Sequence, residues 1–275
     1  MTDLAARPRV GRFLRIAGLA GGIALTVLVW ASFMRFGGDP GDATTYWTVD
    51  PEAPYWRPEY QFLYAPAFAQ ALVPFQALPF DAWVGLIRGL EAAALVVLAG
   101  PATPLVLFTP PVITEINAGN VNLLAIAAVV YGFRWPALWA FVLLSKVTFG
   151  IGLLWFVVRR EWRSLAIALG VTAAISLVSF IYRPGLWFDW VAFIASLAGG
   201  EGTAGFLPVW FRLPVAALLV VWGARTDRPW AMGVAMFVAI PRLYPLSPVV
   251  LVGVLPLAWP SLALVPTRIR RLRPA

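Results

Sequence analysis

The sequence predicts an all-α, polytopic membrane protein, a single transmembrane domain over residues 1–275. Three observations carry that reading. Hydrophobic residues make up 61% of the chain and charged residues only 12%, about half the ~25% of a soluble globular domain. Long apolar runs recur from Ile16 to Val265, so the chain crosses a bilayer repeatedly rather than through one anchor. The arginines gather at the ends of those runs, at Arg7, Arg9, Arg12 and Arg15, at Arg159, Arg160 and Arg163, at Arg225 and Arg228, and at Arg268, Arg270, Arg271 and Arg273. Such clustering marks cytoplasmic loops. Both termini are then cytoplasmic, residues 266–275 form a basic cytoplasmic tail, and 35–61 is an outer loop reached after one crossing. The net charge of +8 is a signal of topology, not of nucleic acid.

Ile16–Met34 reads as a retained first span, because it lacks a small-x-small cleavage site. In the outer loop, Ala43–Val49 and Pro54–Tyr60 read as short interfacial helices. They carry Tyr46, Trp47, Tyr55 and Trp56, whose apolar bodies and polar tips suit the headgroup level. Phe62–Phe80 crosses back, interrupted by Pro66 and Pro74, and Trp83–Leu98 crosses outward. Leu105–Ile116 is broken by Pro110 and Pro111, and a polar island separates it from Leu123–Phe133. Trp135–Val158 holds Lys146 at its centre, Leu165–Ile181 is uninterrupted, and Tyr182–Gly205 is a mixed outer segment. Leu213–Trp222, Trp230–Ile240 and Val249–Val265 complete about nine or ten crossings, several of them below the ~20 residues of a straight span. Short, proline-broken segments at membrane depth need protein or a water-filled cavity beside them.

Cysteine and histidine are absent. Without thiolate or imidazole, a metal centre loses its commonest ligands, and proton transfer falls to Asp, Glu, Lys or Tyr. No metal or cofactor is expected. Residues 37–66 hold Asp39, Asp42, Asp50, Glu52 and Glu59, five of the thirteen acids, and this loop is the expected seat of chemistry. Asp42 reads either as a base or as the cap of a short helix. Asp39, before Pro40, reads first as turn chemistry.

Lys146 is the only lysine. A charge at mid-bilayer faces a cavity or a partner. Either one span buries it, or two half-helices of ~16 Å meet there, at about 1.5 Å per residue. It either pairs with Glu115 or holds an anionic ligand. Arg242, in PRLYPLSP with Tyr244, falls on an outer turn, where the charge rule does not place arginine. It either snorkels to lipid phosphate or binds a phosphate bidentately. Arg183 and Arg212 are weaker candidates of the same type. The island TEINAGNVN, with Glu115, Asn117, Asn120 and Asn122, offers either inter-helix hydrogen bonds or sugar recognition. Arg88 and Glu91, three apart on one helix, are expected to pair. No soluble nucleotide-sugar domain is visible, so any sugar donor is expected to be lipid-borne.

Taken in order, several segments resemble the GT-C integral-membrane glycosyltransferases, and within them glycosyltransferase family 87, which uses polyprenyl-phosphate-mannose. GDATTYW resembles that family's acidic first-loop motif, FLYAPAFAQALVPFQALPFDAW its Tyr-Pro-Pro span and Leu-Pro turn, and GNVNLL its Gly-Gln-x-Asn segment. LLSKVTFGIGLLWFVVRREWR resembles its Lys-x-x-Pro run ending in Arg-Arg-x-Trp-Arg, and PRLYPLSP its late outer turn. The chain is shorter than the usual member. The resemblance implies a GT-C-like helix bundle that moves a sugar, mannose by analogy, from a polyprenyl monophosphate to a glycolipid or glycan hydroxyl. The transfer is extracytoplasmic, inverting and metal-independent, at a multi-pass protein of the cell membrane. Asp42 matches the catalytic base. Lys146 and Arg242 are the candidates to hold the leaving phosphate. Asp39, Tyr46, Tyr64, Glu115, Asn117, Asn120, Asn122 and Tyr244 are the sugar and acceptor candidates. Two alternatives stay open. One is a non-catalytic subunit that binds lipid-phosphate sugars. The other is a transporter or flippase using Lys146 and Glu115 as an intramembrane charge pair.

Overall fold

A computed structural model describes residues 7–55, 62–198, 207–265 and 269. These residues form helices, turns and no strand. In chain order the helices are α1 (Arg7–Phe36), α2 (Gly41–Thr48), α3 (Pro66–Gln76), α4 (Phe80–Ala99), α5 (Thr103–Val106), α6 (Pro110–Ala118) and α7 (Asn122–Gly132). They continue with α8 (Trp139–Ser145), α9 (Leu154–Val158), α10 (Trp162–Tyr182), α11 (Pro184–Ala198), α12 (Val209–Arg225), α13 (Ala231–Val238) and α14 (Val254–Ala258). Tighter 3-10 turns over Val147–Leu153 and Ser247–Gly253 lead into α9 and α14.

Among the described residues three stretches are long and apolar enough to cross a membrane: Gly11–Phe36, Phe80–Val106 and Trp162–Tyr182. The first and last are only 11% buried, so most of their apolar surface is left uncovered by the described residues. α6 and α7 add a fourth crossing only as a pair bent by 107°. Of the nine or ten crossings expected from the apolar runs, several of them short, these are the ones formed by long apolar helices among the described residues. Proline and glycine cut the other runs into pieces such as Pro136–Ser145, Val147–Val158 and Ser247–Ala258. α2 is the short helix expected over Ala43–Val49. Over Pro54–Tyr60 the described residues are in turns, and residues 56–61 lie outside the described residues.

α1 and α4 run antiparallel. Trp30 Nε1 donates to the Gly85 carbonyl at 2.9 Å, and Gly18 packs on Pro101 near the far end. At that end Arg15 donates to the Ser261 carbonyl at 2.7 Å, and Val97 O accepts from both Tyr131 Oη and the Leu264 amide. Arg159 binds Ala224 O and Asp227 there. One end of the bundle thus collects Arg15 and Arg159 from separate segments, and the acidic loop lies at the other.

The run around Lys146 is a hairpin, the second of the two geometries open at the sequence level. Trp139, at the start of α8, lies edge-on to Phe156 in α9, with centroids 6.1 Å apart. Phe133 at the end of α7 meets Trp155 at 5.2 Å, so both ends of the hairpin return to the arginine-rich end. The turn at Lys146 points the other way. Gly152 allows the two arms to close, because a Cβ there would lie 2.5 Å from the Trp139 ring. Trp139, Trp155 and Phe156 are fully buried at the centre of the core, with α7, α12 and α13 packed around them.

Candidate functional site

The site begins with the seating of α2. Pro40 occupies the N-cap position and Asp42 is the second residue inside the helix, so Asp42 is not the cap that one reading expected. Trp83 Nε1 donates to Ala43 O at 2.8 Å, Trp47 Nε1 to Leu78 O at 3.1 Å, and Gln76 Nε2 to Val49 O at 2.7 Å. Three side chains from α2, α3 and α4 hold this short helix in place. Gln76 and Trp83 were not singled out in the sequence, because nothing in their spacing marks them as supports for a loop.

The break between α6 and α7 forms the wall behind Asp42. Gly119 ends α6 in the left-handed region at φ 65°, where residues with a Cβ are strained. A Cβ at Gly119 would also lie 2.8 Å from that of Ala43. The exposed helix ends are satisfied by charge. Arg88 donates to Asn117 O through Nε at 3.0 Å and Nη2 at 2.7 Å, and to Asn117 Oδ1 at 3.0 Å. Glu115 accepts from the Asn122 amide at 2.7 Å and from its Nδ2 at 3.0 Å. Glu91 accepts from the amides of Leu123 and Leu124 at 3.2 Å each. The cation thus holds a helix C-terminus and the acids an N-terminus, as the helix dipole favours. The expected Arg88–Glu91 pair is replaced by this bracket, because the orphan backbone groups of the break compete for both side chains. Glu115, Asn117 and Asn122 are likewise occupied by structure. Glu115 and Glu91 are both 0% exposed.

Asn120, in the bend itself, faces the α2 side. Its Oδ1 accepts from the Val121 amide at 2.6 Å and from Tyr46 Oη at 3.1 Å. Tyr46 Oη and Tyr64 Oη are 2.6 Å apart. Lys146 Nζ donates to Tyr64 Oη at 3.4 Å and lies 5.1 Å from the Tyr64 ring centroid. Among the described residues that is the only hydrogen bond of the ammonium group, although it carries three protons. Among the described residues, the direct Lys146–Glu115 ion pair that was one of the two expectations does not form.

Asp42 is half-buried. Burial pushes its carboxyl up from the ordinary aspartate value, the Lys146 charge opposes that rise, the Asp39 charge adds to it, and a hydrogen bond from Asn120 lowers it again. Asp39 itself is exposed. Burial also holds the Tyr46 phenol well above its ordinary range, so Tyr46 is a neutral hydrogen-bond donor and Asp42 is the group that can accept a proton.

The structure therefore brings Asp42, Tyr46, Tyr64, Asn120 and Lys146 together, with Asp39 at the rim and Glu115 and Asn122 behind. Arg242 and Tyr244 lie on the turn between α13 and the Ser247–Gly253 segment. Arg242 is half-buried, Tyr244 is 49% exposed, and the Tyr244 amide donates to Ser247 Oγ at 2.8 Å. The weaker arginine candidates are committed elsewhere. Arg212 donates to the carbonyls of Leu207, Val238, Ile240 and Pro241, and Arg183 pairs with Glu52. A hollow of about 20 Å³ lies beside α2, lined by Thr45, Thr48, Val49 and Phe62 among others. A cavity of about 420 Å³ opens at the arginine-rich end, lined by Phe133, Arg160, Glu161, Trp162 and Arg163 with Ser164 and Ile269, and does not coincide with Asp42. No group of three or more Asp or Glu arranged to hold a metal occurs among the described residues.

The arrangement defines a helical protein with apolar, membrane-length helices and a carboxylate facing a lone ammonium across buried phenols. Compared with family models, curated proteins and solved structures, the chain returned no match.

Proposed function

We propose that the chain is a membrane glycosyltransferase that moves a sugar from a polyprenyl-monophosphate donor to a hydroxyl of a glycolipid or glycan. Asp42 takes the proton of the acceptor hydroxyl. The acceptor oxygen attacks the anomeric carbon, and the bond from that carbon to the phosphate oxygen breaks with its electron pair passing to the phosphate. Configuration inverts. Lys146 holds the leaving phosphate, which fixed cations stabilise best in a dry site, and Arg242 is the second cation in this reading. Prenyl tail and apolar helices share the bilayer.

The observation that carries the reading is the meeting of Asp42 and the only lysine. They come from segments a hundred residues apart and meet at the end of the bundle away from the arginines. Lys146 leaves two ammonium protons for a ligand. Tyr46, Tyr64 and Asn120 are 1%, 7% and 6% exposed, too enclosed to bind sugar directly, and in this proposal they organise the two charges. The test is transfer from polyprenyl-phosphate-mannose to lipid or glycan acceptors in proteoliposomes. Asp42→Asn is expected to lower turnover by about 10²–10⁴-fold, the usual worth of a general base. Full turnover by that variant excludes the role.

A further inference from the structure

The hydrogen bonds running from Lys146 to Asn120 have a definite direction. The Val121 amide can only donate, so the side-chain atom of Asn120 that it meets at 2.6 Å is the oxygen. Tyr46 Oη, 3.1 Å from the same atom, must then donate to it. Having given its one proton to Asn120, Tyr46 can only accept from Tyr64, 2.6 Å away. Tyr64 in turn accepts from Lys146. The Asn120 amide nitrogen is then the donor left over, and Asn120 is the side chain that lowers the neighbouring Asp42 carboxyl. The donors Lys146, Tyr64 and Tyr46 thus run in one direction and end on Asn120, beside Asp42. Aligned hydrogen bonds in a dry setting polarise one another.

We propose that Lys146, Tyr64, Tyr46 and Asn120 form one polarised chain through which occupation of Lys146 by a phosphate is transmitted to Asp42. The proposal rests on the reading of Lys146 as a phosphate site. With the site empty, the ammonium drives the chain and the dipoles favour the carboxylate form of Asp42. A phosphate that claims the ammonium protons relaxes Tyr64 and Tyr46. Asp42 then holds a proton more readily and becomes the stronger base. Basicity rises only when the donor is in place. Tyr46, Tyr64 and Asn120 are positioning residues in this scheme. The other charges facing Asp42 are Asp39 on the preceding turn and Glu115 on α6. Neither belongs to the chain.

Two measurements test it. In proteoliposomes, the acid limb of kcat/KM for the donor reports the donor-free enzyme and that of kcat the loaded one. Wild type is expected to show the kcat limb at higher pH, and Tyr64→Phe, which cuts the chain, to bring the limbs together. A uniform loss of rate with the separation intact overturns the proposal. The second measurement does not depend on transfer. Reductive ¹³C-methylation labels the single lysine side chain, resolved from the amino terminus. Asp42→Asn is expected to move the Lys146 signal in wild type, and to move it by half as much or less in Tyr64→Phe and in Tyr46→Phe. An equal shift in every background that folds overturns the chain. A coupled lysine signal with no sugar transfer keeps the chain and removes the glycosyltransferase reading. Addition of farnesyl monophosphate is expected to move the lysine signal and to reduce its response to Asp42→Asn. An unmoved signal removes the phosphate trigger.

Discussion

Two helix breaks interrupt apolar runs in this molecule, and they handle charge in opposite ways. At the α6–α7 break every ionic group is consumed by the backbone. Arg88 closes one helix end, and Glu91 and Glu115 close the other. At the Lys146 break the backbone is satisfied by neighbours, with the Lys146 amide on Val142 O and the Ala65 amide on Leu144 O, and the ammonium is left with one long hydrogen bond to a phenol. A buried charge that answers a backbone need is part of the fold. A buried charge with donors to spare, facing a carboxylate, is available for a ligand. Substitutions at the two breaks are therefore expected to fail differently.

The largest effect is expected at the satisfied break. Glu91→Leu leaves the amides of Leu123 and Leu124 without an acceptor. At about 1–3 kcal/mol for each buried donor, the loss is about 2–6 kcal/mol, read as a fall in unfolding temperature in detergent. A variant as stable as wild type shows that these amides find other partners and that the bracket is ornamental. Lys146→Met is expected to do the reverse. Its unfolding temperature stays near that of wild type, while the KM for a polyprenyl-phosphate donor rises by about 10–100-fold, the loss of a charged hydrogen bond worth about 1.5–3 kcal/mol. A large loss of stability with no change in KM erases the contrast between the breaks. Gly119→Ala comes third. Forcing a Cβ into the left-handed region costs about 1–2 kcal/mol, and the contact with Ala43 also pushes α2, so activity is expected to fall further than stability.

How much of this was legible in the residues differs between the same two regions. The helical class and the membrane-length apolar helices follow from hydropathy, and the isolation of the only lysine singles out Lys146. The hairpin at Lys146 was one of two readings, and the paired returns of Phe133 and Trp155 resolve it. The bracket at the other break was misread. Spacing on one helix makes Arg88 and Glu91 look like partners, and only tertiary structure shows that each faces a different orphan helix end. The apolar runs are also more broken than hydropathy alone shows, for a related reason. An apolar run does not reveal whether it crosses or folds back at its prolines and glycines. The asparagines of the island read either as hydrogen-bond partners within the bundle or as sugar contacts, and a break at membrane depth must first satisfy its own amides and carbonyls.

The smallest effect tests whether Asp42 belongs with the available charges. Burial raises its carboxyl above the unfolded aspartate value of 3.8. The native state therefore binds a proton more tightly than the unfolded chain. Between the unfolded value and the raised native one the folded protein carries the excess proton, so stability falls as pH rises through that window and is level above it. Ionised Asp42 is in this sense a modest cost to the fold at neutral pH, as a base held ready in a half-buried site would be. Asp42→Asn removes the cost. The variant is expected to be slightly more stable than wild type at pH 7, and the difference is expected to shrink as pH drops toward about 4, near the ordinary aspartate range. Thermal unfolding of both proteins across that range measures it. An Asn variant that is less stable at pH 7, or a difference that ignores pH, places Asp42 among the satisfied structural charges with Glu91, and the contrast between the two breaks then no longer picks out a site.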